Sequence, residues 1–283
     1  MKKLLTIIAI LLLVVGCGGN DTTSEETKNV LVVGMECASE PFNWTDVDEP
    51  SSGSVVIAKG DGAGEYCNGL DVQVAKYVAN KLGKELEVYA LEWDSLLPAL
   101  DSGAIDCVIG NMSPREDRKV NYDFTSSYYD VNYVVLVKKD NALANAKNVA
   151  DLANSTIGVQ TDLHEDLAKQ IEGVEYTFYD NFDMEATAVK SGVIAGAIMD
   201  EPAAITYMFK DDEFTYVPLK NNDNGFTVAE ADYANAAAFK KDNPLRDEVE
   251  AVISSISMDT YYQLMEEILK VNNGEKVDKF CIE

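Results

Sequence analysis

The chain has one histidine, His164, in 283 residues. A histidine-rich metal centre is therefore excluded, and no convincing Ser-His-Asp order can be built around it. Basic residues are also scarce: 23 Lys and Arg stand against 49 Asp and Glu, a formal net charge of -26. Such a surface repels nucleic-acid phosphates and anionic headgroups, so a nucleic-acid partner is excluded, while long-range steering favours cationic solutes. There are five cysteines and no CxxC spacing, which argues against a zinc knuckle. No glycine-rich phosphate loop follows a strand, because Gly60-Asp-Gly-Ala-Gly64 lies in a polar excursion before a helix. No metal or organic cofactor is indicated. No apolar run is long enough to span a bilayer; Leu4 to Val15 is too short.

What stands at the start reads as an address. Lys2 and Lys3 precede that apolar run, and Val14-Val15-Gly16-Cys17 follows it. This order resembles the signal and lipobox of bacterial lipoproteins. The resemblance implies a signal peptide over 1–17, cleavage before Cys17 and lipidation of that cysteine. Residues 18–29, rich in Gly, Thr, Ser and Glu, read as a flexible tether. The protein would then sit on the extracytoplasmic face of the cell membrane, anchored to the lipid bilayer. Four cysteines remain. An exported chain can form a disulfide, and Cys37 with Cys67, both beside strand or loop ends, is the expected pair. Cys107 reads as a small buried hydrophobe.

From Val30 onward the chain alternates between strand and helix patterns. Val30 to Gly34 is a buried strand, and Asn43 to Glu65 is a hairpin-like excursion. Gly69 to Gly83 is a helix with Val74, Val78 and Leu82 on one face, Asp71 as its cap and Gly83 as its stop. Glu85 to Tyr89 is a strand. Trp93 to Gly103 is a helix with Asp94 as cap candidate and Pro98 near the first turn. Ile105 to Ile109 and Tyr133 to Val137 are strands. The alternation restarts at Thr156 and runs to Val217. Two closing helices, about 243–257 and 258–271, follow a strand over 234–239, with Tyr262, Met265, Ile268 and Leu269 on one face of the second. Strands alternating with helices at this spacing predict βαβ units and parallel sheets.

Two stretches point to a site. Gly110 to Phe124 follows the strand Ile105–Ile109 and carries Asn111, Ser113, Arg115 and Arg118. Ligands of open α/β sheets bind outside the carboxyl ends of the strands, and a guanidinium there can grip a carboxylate with two parallel bonds. The alternative is an exposed loop with ordinary surface arginines. The second stretch echoes the first: Asp101-Ser-Gly-Ala-Ile-Asp-Cys-Val-Ile-Gly-Asn111 matches Lys190-Ser-Gly-Val-Ile-Ala-Gly-Ala-Ile-Met-Asp200. Each runs from a helix end through Ser-Gly and a buried strand to a polar residue. Asn111 and Asp200 are thus expected at corresponding rims of two sheets, facing each other across a cleft.

Taken together, Pro41-Phe-Asn-Trp44, Gly69 to Lys76, Glu92 to Asp106, Met112 to Lys119, Asp123 to Tyr129 and Ile198-Met-Asp-Glu-Pro202 resemble the family 3 extracellular solute-binding proteins of ABC transporters for polar amino acids. The likeness covers about Val30 to Leu269. It implies an α/β, type II periplasmic-binding-protein-like fold of two lobes, with two hinge strands and a ligand cleft. The boundaries would be 30–131 and 234–283 for lobe 1 and 132–233 for lobe 2. It implies a monomer that closes over an L-amino acid and delivers it to an ABC permease and its ATPase, not an enzyme. By the same resemblance, Arg118 and Ser113 bind the α-carboxylate and Asp200 the α-ammonium. Asn111 is a pocket position, Trp93 a wall, and Glu36 faces the ligand side chain. Gln160 to His164 complete the pocket from lobe 2. Three departures stand out: Ser39 where an aromatic is frequent, Asp162-Leu163 in place of a Gly-Thr pair, and Arg115 where threonine is common. Glu36, Asp162 and the overall acidity tilt the expected ligand towards basic amino acids. An exported dehydratase-like enzyme and a ligand sensor on the same fold are the alternatives.

Overall fold

The computed structural model describes residues 29–46, 49–160 and 162–283. The expected signal segment, Cys17, nearly all of the tether and the Asp162 side chain lie outside what is described.

Two α/β lobes are each organised on a sheet. The first sheet orders its nine strands Ala38–Ser39, Asn43–Asp46, Tyr66–Asn68, Val55–Gly60, Glu85–Ala90, Val30–Met35, Cys107–Val108, Ala238–Lys240 and Tyr122–Phe124. Val30–Met35 is central, parallel to Glu85–Ala90 on one side and to Cys107–Val108 on the other. Five of its six residues are buried, as expected for a strand covered on both faces. The second sheet orders Glu175–Phe178, Thr156–Val159, Gly196–Asp200, Tyr133–Lys138 and Phe214–Val217. The chain leaves the first lobe through Tyr129–Asp130 and returns through Ala234–Asn235. These two strands pair antiparallel with each other as a separate ribbon. The expectation of parallel sheets is corrected at these crossings. Strands entering after a crossing run against their neighbours: Tyr133–Lys138 beside Gly196–Asp200, and Ala238–Lys240 beside Tyr122–Phe124. The excursion after Asn43 also does more than form a hairpin, because Val55–Gly60 joins the main sheet parallel to Glu85–Ala90.

The helix Leu70–Lys81 buries Val74, Ala75, Val78 and Ala79 against this sheet. Gly69 precedes it at φ 129°, where a Cβ would stand 2.2 Å from the Phe42 carbonyl oxygen. Only glycine fits that close approach. Asp71 is not the cap: it is turned into the core and takes hydrogen bonds there. Asp94 is not a cap either, since Glu92 holds that position before the helix Trp93–Ser102, and Pro98 lies inside the helix. The helix Met258–Asn272 buries Tyr261, Leu264, Met265, Ile268 and Val271, leaving Tyr262 38% exposed. Met265 and Ile268 are buried as expected, while Tyr261, Leu264 and Val271 take the places at the edges of the stripe that were expected for Tyr262 and Leu269. The four described cysteines are free thiols. The expected Cys37–Cys67 bond is not formed; the two pack in the core, and the hydrogen bond between the two thiols, together with burial, pushes the Cys67 thiol up.

The internal echo is structural. Gly103 and Gly192 each end a helix in the left-handed conformation at φ 75°. Each is followed by a buried strand running to Asn111 or Asp200.

Within the second lobe, Glu185 is fully buried on the helix Phe182–Ser191, and neither carboxylate oxygen has a hydrogen-bond partner among the described residues. Burial raises its pKa from 4.5 to about 9. The folded state therefore holds a proton that the unfolded chain releases above 4.5. Ionisation of Glu185 costs no stability below that pH, and its cost grows as pH rises towards 9. Glu185→Gln should melt higher than the parent at pH 8 and converge with it near pH 4.5, which a thermal melt across pH measures directly.

Candidate ligand-binding cleft

A cavity of about 790 Å³ opens between the two sheets. It is lined by all eight residues singled out from the sequence: Glu36, Trp93, Asn111, Ser113 and Arg118 from the first lobe, and Gln160, His164 and Asp200 from the second. Ser39 and Arg115 also line it.

The Gly110–Phe124 loop builds one wall. Met112 is buried as an anchor, and the helix Glu116–Lys119 turns Arg118 back towards Ser113. The Arg118 Nη1 donates to the Ser113 carbonyl oxygen at 2.9 Å and to Ser113 Oγ at 3.2 Å. Its guanidinium carbon lies 5.4 Å from the centre of the Trp93 ring. Burial, then the neighbouring Arg115, lowers the Arg118 pKa without discharging it. Among the described residues no carboxylate comes within ion-pair distance of Arg118. Arg115, by contrast, is held by Asp117 at 3.2 Å.

Asp200 forms the opposite wall. It sits at the N-cap position of the helix Glu201–Lys210 but makes no side-chain cap bond. Its Oδ2 instead accepts from Asn111 Nδ2 at 3.2 Å, across the cleft. Burial raises Asp200 to about 6, and the Asn111 bond opposes that shift. Asn111 has a left-handed backbone at φ 52°, and its Oδ1 accepts from Asn235 Nδ2 at 2.6 Å. Asn235 belongs to the returning strand, so a polar relay runs from the hinge through Asn111 to Asp200.

Behind Asn111 lies Asp71. Its carboxylate accepts from Tyr128 Oη at 2.7 Å, from Asn43 Nδ2 at 2.7 Å and from the Asn111 backbone N–H. Asn43 in turn accepts from the Cys37 N–H at 2.7 Å, beside Glu36. One buried carboxylate thus fixes two cleft loops. Burial still raises it to about 7, because these bonds offset desolvation only in part.

Glu36 stands at a third side of the cavity. Burial, then Glu92 and Asp94 at the start of the helix Trp93–Ser102, raises it to about 7. Among the described residues, six carboxylates and two guanidiniums line the cavity, so its balance is anionic. His164 is buried, stacked 5.9 Å from Phe182 and edge-on to Tyr133 at 5.7 Å. Burial lowers it to about 4, so it is neutral near pH 7, and its Nδ1 has no hydrogen-bond partner among the described residues. Gln160 makes only a long contact, 3.5 Å, to the Asp180 carbonyl.

Sequence reasoning missed Tyr133, Phe178, Phe182, Asp180 and Asn235, which also line the cavity. Phe178 ends the strand Glu175–Phe178 and Asp180 follows it, so the rule that found Asn111 would have found them. Tyr133 pairs with Asp200 in the sheet register, which no sequence pattern discloses.

Two lobes joined by paired strands, with unlike charges facing one cavity from opposite sides, define a solute-binding architecture. The chain belongs to the bacterial extracellular solute-binding proteins, family 3, whose family model matches residues 31–270. It is 29% identical over 258 residues to the arginine-binding extracellular protein ArtP of Bacillus subtilis, covering 87% of this chain and 89% of that one. It is 28% identical over 239 residues to a probable histidine-binding protein of Campylobacter jejuni, covering 81% and 86%. Among solved structures, the amino acid ABC transporter substrate-binding protein AbpA of Streptococcus pneumoniae, bound to L-arginine, superposes with a TM-score of 0.69. That match has 26% identity and covers 87% of this chain and 96% of that one.

Tyr128→Phe removes a donor from buried Asp71. At pH 8, where Asp71 is largely ionised, the variant should lose about 1–3 kcal/mol of unfolding free energy. The loss should shrink at pH 5, where Asp71 is protonated; urea unfolding at the two pH values measures both.

Proposed function

We propose that the protein captures an L-amino acid, basic ones in preference, by closing its lobes over it, and delivers it to an ABC permease and its ATPase. One observation carries the reading. Arg118, without a carboxylate partner among the described residues, and Asp200, buried, face the same cavity from opposite lobes. A zwitterion brings one fixed anion and one fixed cation, and burying it demands a partner for each. Arg118 and Ser113 take the α-carboxylate, Asp200 takes the α-ammonium, and Trp93 packs beside them. Asn111 holds Asp200 in place. Gln160 and His164 close the second lobe's wall. A cationic side chain lies towards Glu36, with Glu92 and Asp94 adding to the field. Closure is a ligand-stabilised shift in population, since only the closed form makes both charge contacts.

The reading extends to the chain's organisation. Residues 30–131 with 234–283 form one lobe and 132–233 the other; Cys17 carries the lipid; 18–29 tether the lobes to the extracytoplasmic face of the membrane; and the protein works as a monomer. The ArtP, histidine-binding and arginine-bound relatives support the ligand class.

A thermal-shift screen of residues 18–283 against the common L-amino acids tests the proposal. Arginine or lysine should raise the melting temperature, and Arg118→Ala should abolish the shift. Removing one partner of a buried charge pair costs about 3–5 kcal/mol, more than roughly 100-fold in affinity. No shift with any amino acid would sink the proposal. Calorimetric titration across pH gives a second prediction. Below about 7, Glu36 is protonated and offers no charge to a cationic side chain. Affinity for arginine should therefore rise roughly tenfold or more between pH 5.5 and pH 8. Glu36→Gln should remove most of that slope.

A further inference from the structure

The lobes also meet outside the ligand cavity, where the helix Glu201–Lys210 packs against the helix Met258–Asn272 and a polar contact stands beside that packing. Glu40 lies in the turn between two strands of the first sheet, Ala38–Ser39 and Asn43–Asp46. Its Oε1 accepts from Asn272 Nδ2 at 2.6 Å, at the end of the helix Met258–Asn272. Its Oε2 forms an ion pair with Lys210 Nζ. Lys210 ends the helix Glu201–Lys210, which begins at Asp200 and packs on the second sheet. One carboxylate therefore bridges first-lobe and second-lobe partners.

The lysine is prepared for this contact. Its Nζ also lies 5.7 Å from the centre of the Tyr207 ring, and Tyr207 Oη donates to Asp183 at 2.7 Å. Asn272 likewise fixes Glu40 from the first-lobe side. The Glu40 side chain is only 25% exposed, so the pair is less screened than an ordinary surface pair, though Lys210 remains 47% exposed. Both ends of the helix Glu201–Lys210 thus touch the first lobe, Asp200 through Asn111 and Lys210 through Glu40. The first end faces the cavity; the second does not, as neither Glu40 nor Lys210 lines it.

We propose that Glu40, Lys210 and Asn272 form an interlobe clasp that holds part of the ligand-free population closed and so sets affinity without touching ligand. Apparent affinity scales with the fraction of protein already in the binding-competent form. The clasp therefore raises affinity for every ligand by the same factor and leaves selectivity to the cavity. The inference rests on capture by lobe closure, but its first readout needs no ligand.

The test compares the parent with Lys210→Met, Lys210→Arg and Glu40→Gln. Small-angle X-ray scattering of the ligand-free proteins should give a larger radius of gyration for Lys210→Met and Glu40→Gln, with Lys210→Arg close to the parent. Titration calorimetry with L-arginine and L-lysine should show both affinities weakened about three- to tenfold in Lys210→Met, with their ratio unchanged. Unfolding midpoints of the variants confirm that they are folded, and Glu40→Gln, which keeps a hydrogen-bonding side chain, serves if Lys210→Met is not. An unchanged radius of gyration in both Lys210→Met and Glu40→Gln would overturn the clasp, whatever the ligand proves to be. So would a changed arginine-to-lysine ratio, which would place the effect in the cavity. If no amino acid binds but the radius still rises, the clasp stands and the ligand assignment fails.

Discussion

Asp200 is a buried carboxylate whose side-chain hydrogen bond comes from the opposite lobe. A buried charge is costly unless it is paired, and the Asn111 amide is a dipole, not a cation. Burial accordingly raises Asp200 to about 6. The rest of the cleft is arranged around that imbalance. Asp71, Tyr128 and Asn43 hold the Asn111 backbone in its left-handed turn, and Asn235 orients the Asn111 amide from the hinge strand. In the proposed reading, the ligand's ammonium supplies the missing charge, and its arrival couples chemical recognition to lobe closure.

The same logic separates two kinds of acid in this protein. Asp71 is buried but takes two side-chain hydrogen bonds and the Asn111 N–H, so the fold holds it near the point of ionisation. Glu185 is buried with no hydrogen-bond partner among the described residues and keeps its proton to about 9. Glu36 lies between these cases: partly buried, its pKa is raised further by Glu92 and Asp94, so a cation would be stabilised there. Desolvation alone stores no function; desolvation beside a cavity with neighbouring charges does.

The fold was largely legible because each element carries its own signal. Val30–Met35 is apolar throughout, since helices cover both faces of its sheet. The helix Leu70–Lys81 repeats its apolar residues at helical spacing, and Gly103 and Gly192 stop their helices where a left-handed residue is needed. The Gly103–Asn111 and Gly192–Asp200 echo even placed two rims opposite each other, and in the structure the rims touch. Sequence reasoning failed where a side chain's role depends on a distant neighbour. Asp71 looked like a cap because capping is local, yet its partners lie 28 and 57 residues away. Tyr262 looked buried because helical phase cannot be fixed to one residue without knowing what the helix packs against. Tyr133 and Asn235 became cleft residues only through the crossing strands.

What the sequence determined alone was the alternation of strands and helices, the acidic balance, the exclusion of a histidine-rich metal centre, and the short list of polar residues past strand ends. These follow from periodicity and composition, which act over a few residues. Tertiary structure decided which of those residues meet. It put eight of them around one cavity, left Arg118 without a carboxylate partner among the described residues and set Asn111 against Asp200. It also joined Glu40 to Lys210 across 170 residues of chain. Such pairings depend on how two sheets are brought face to face through two hinge strands, and that geometry is a property of the packed chain, not of any segment within it.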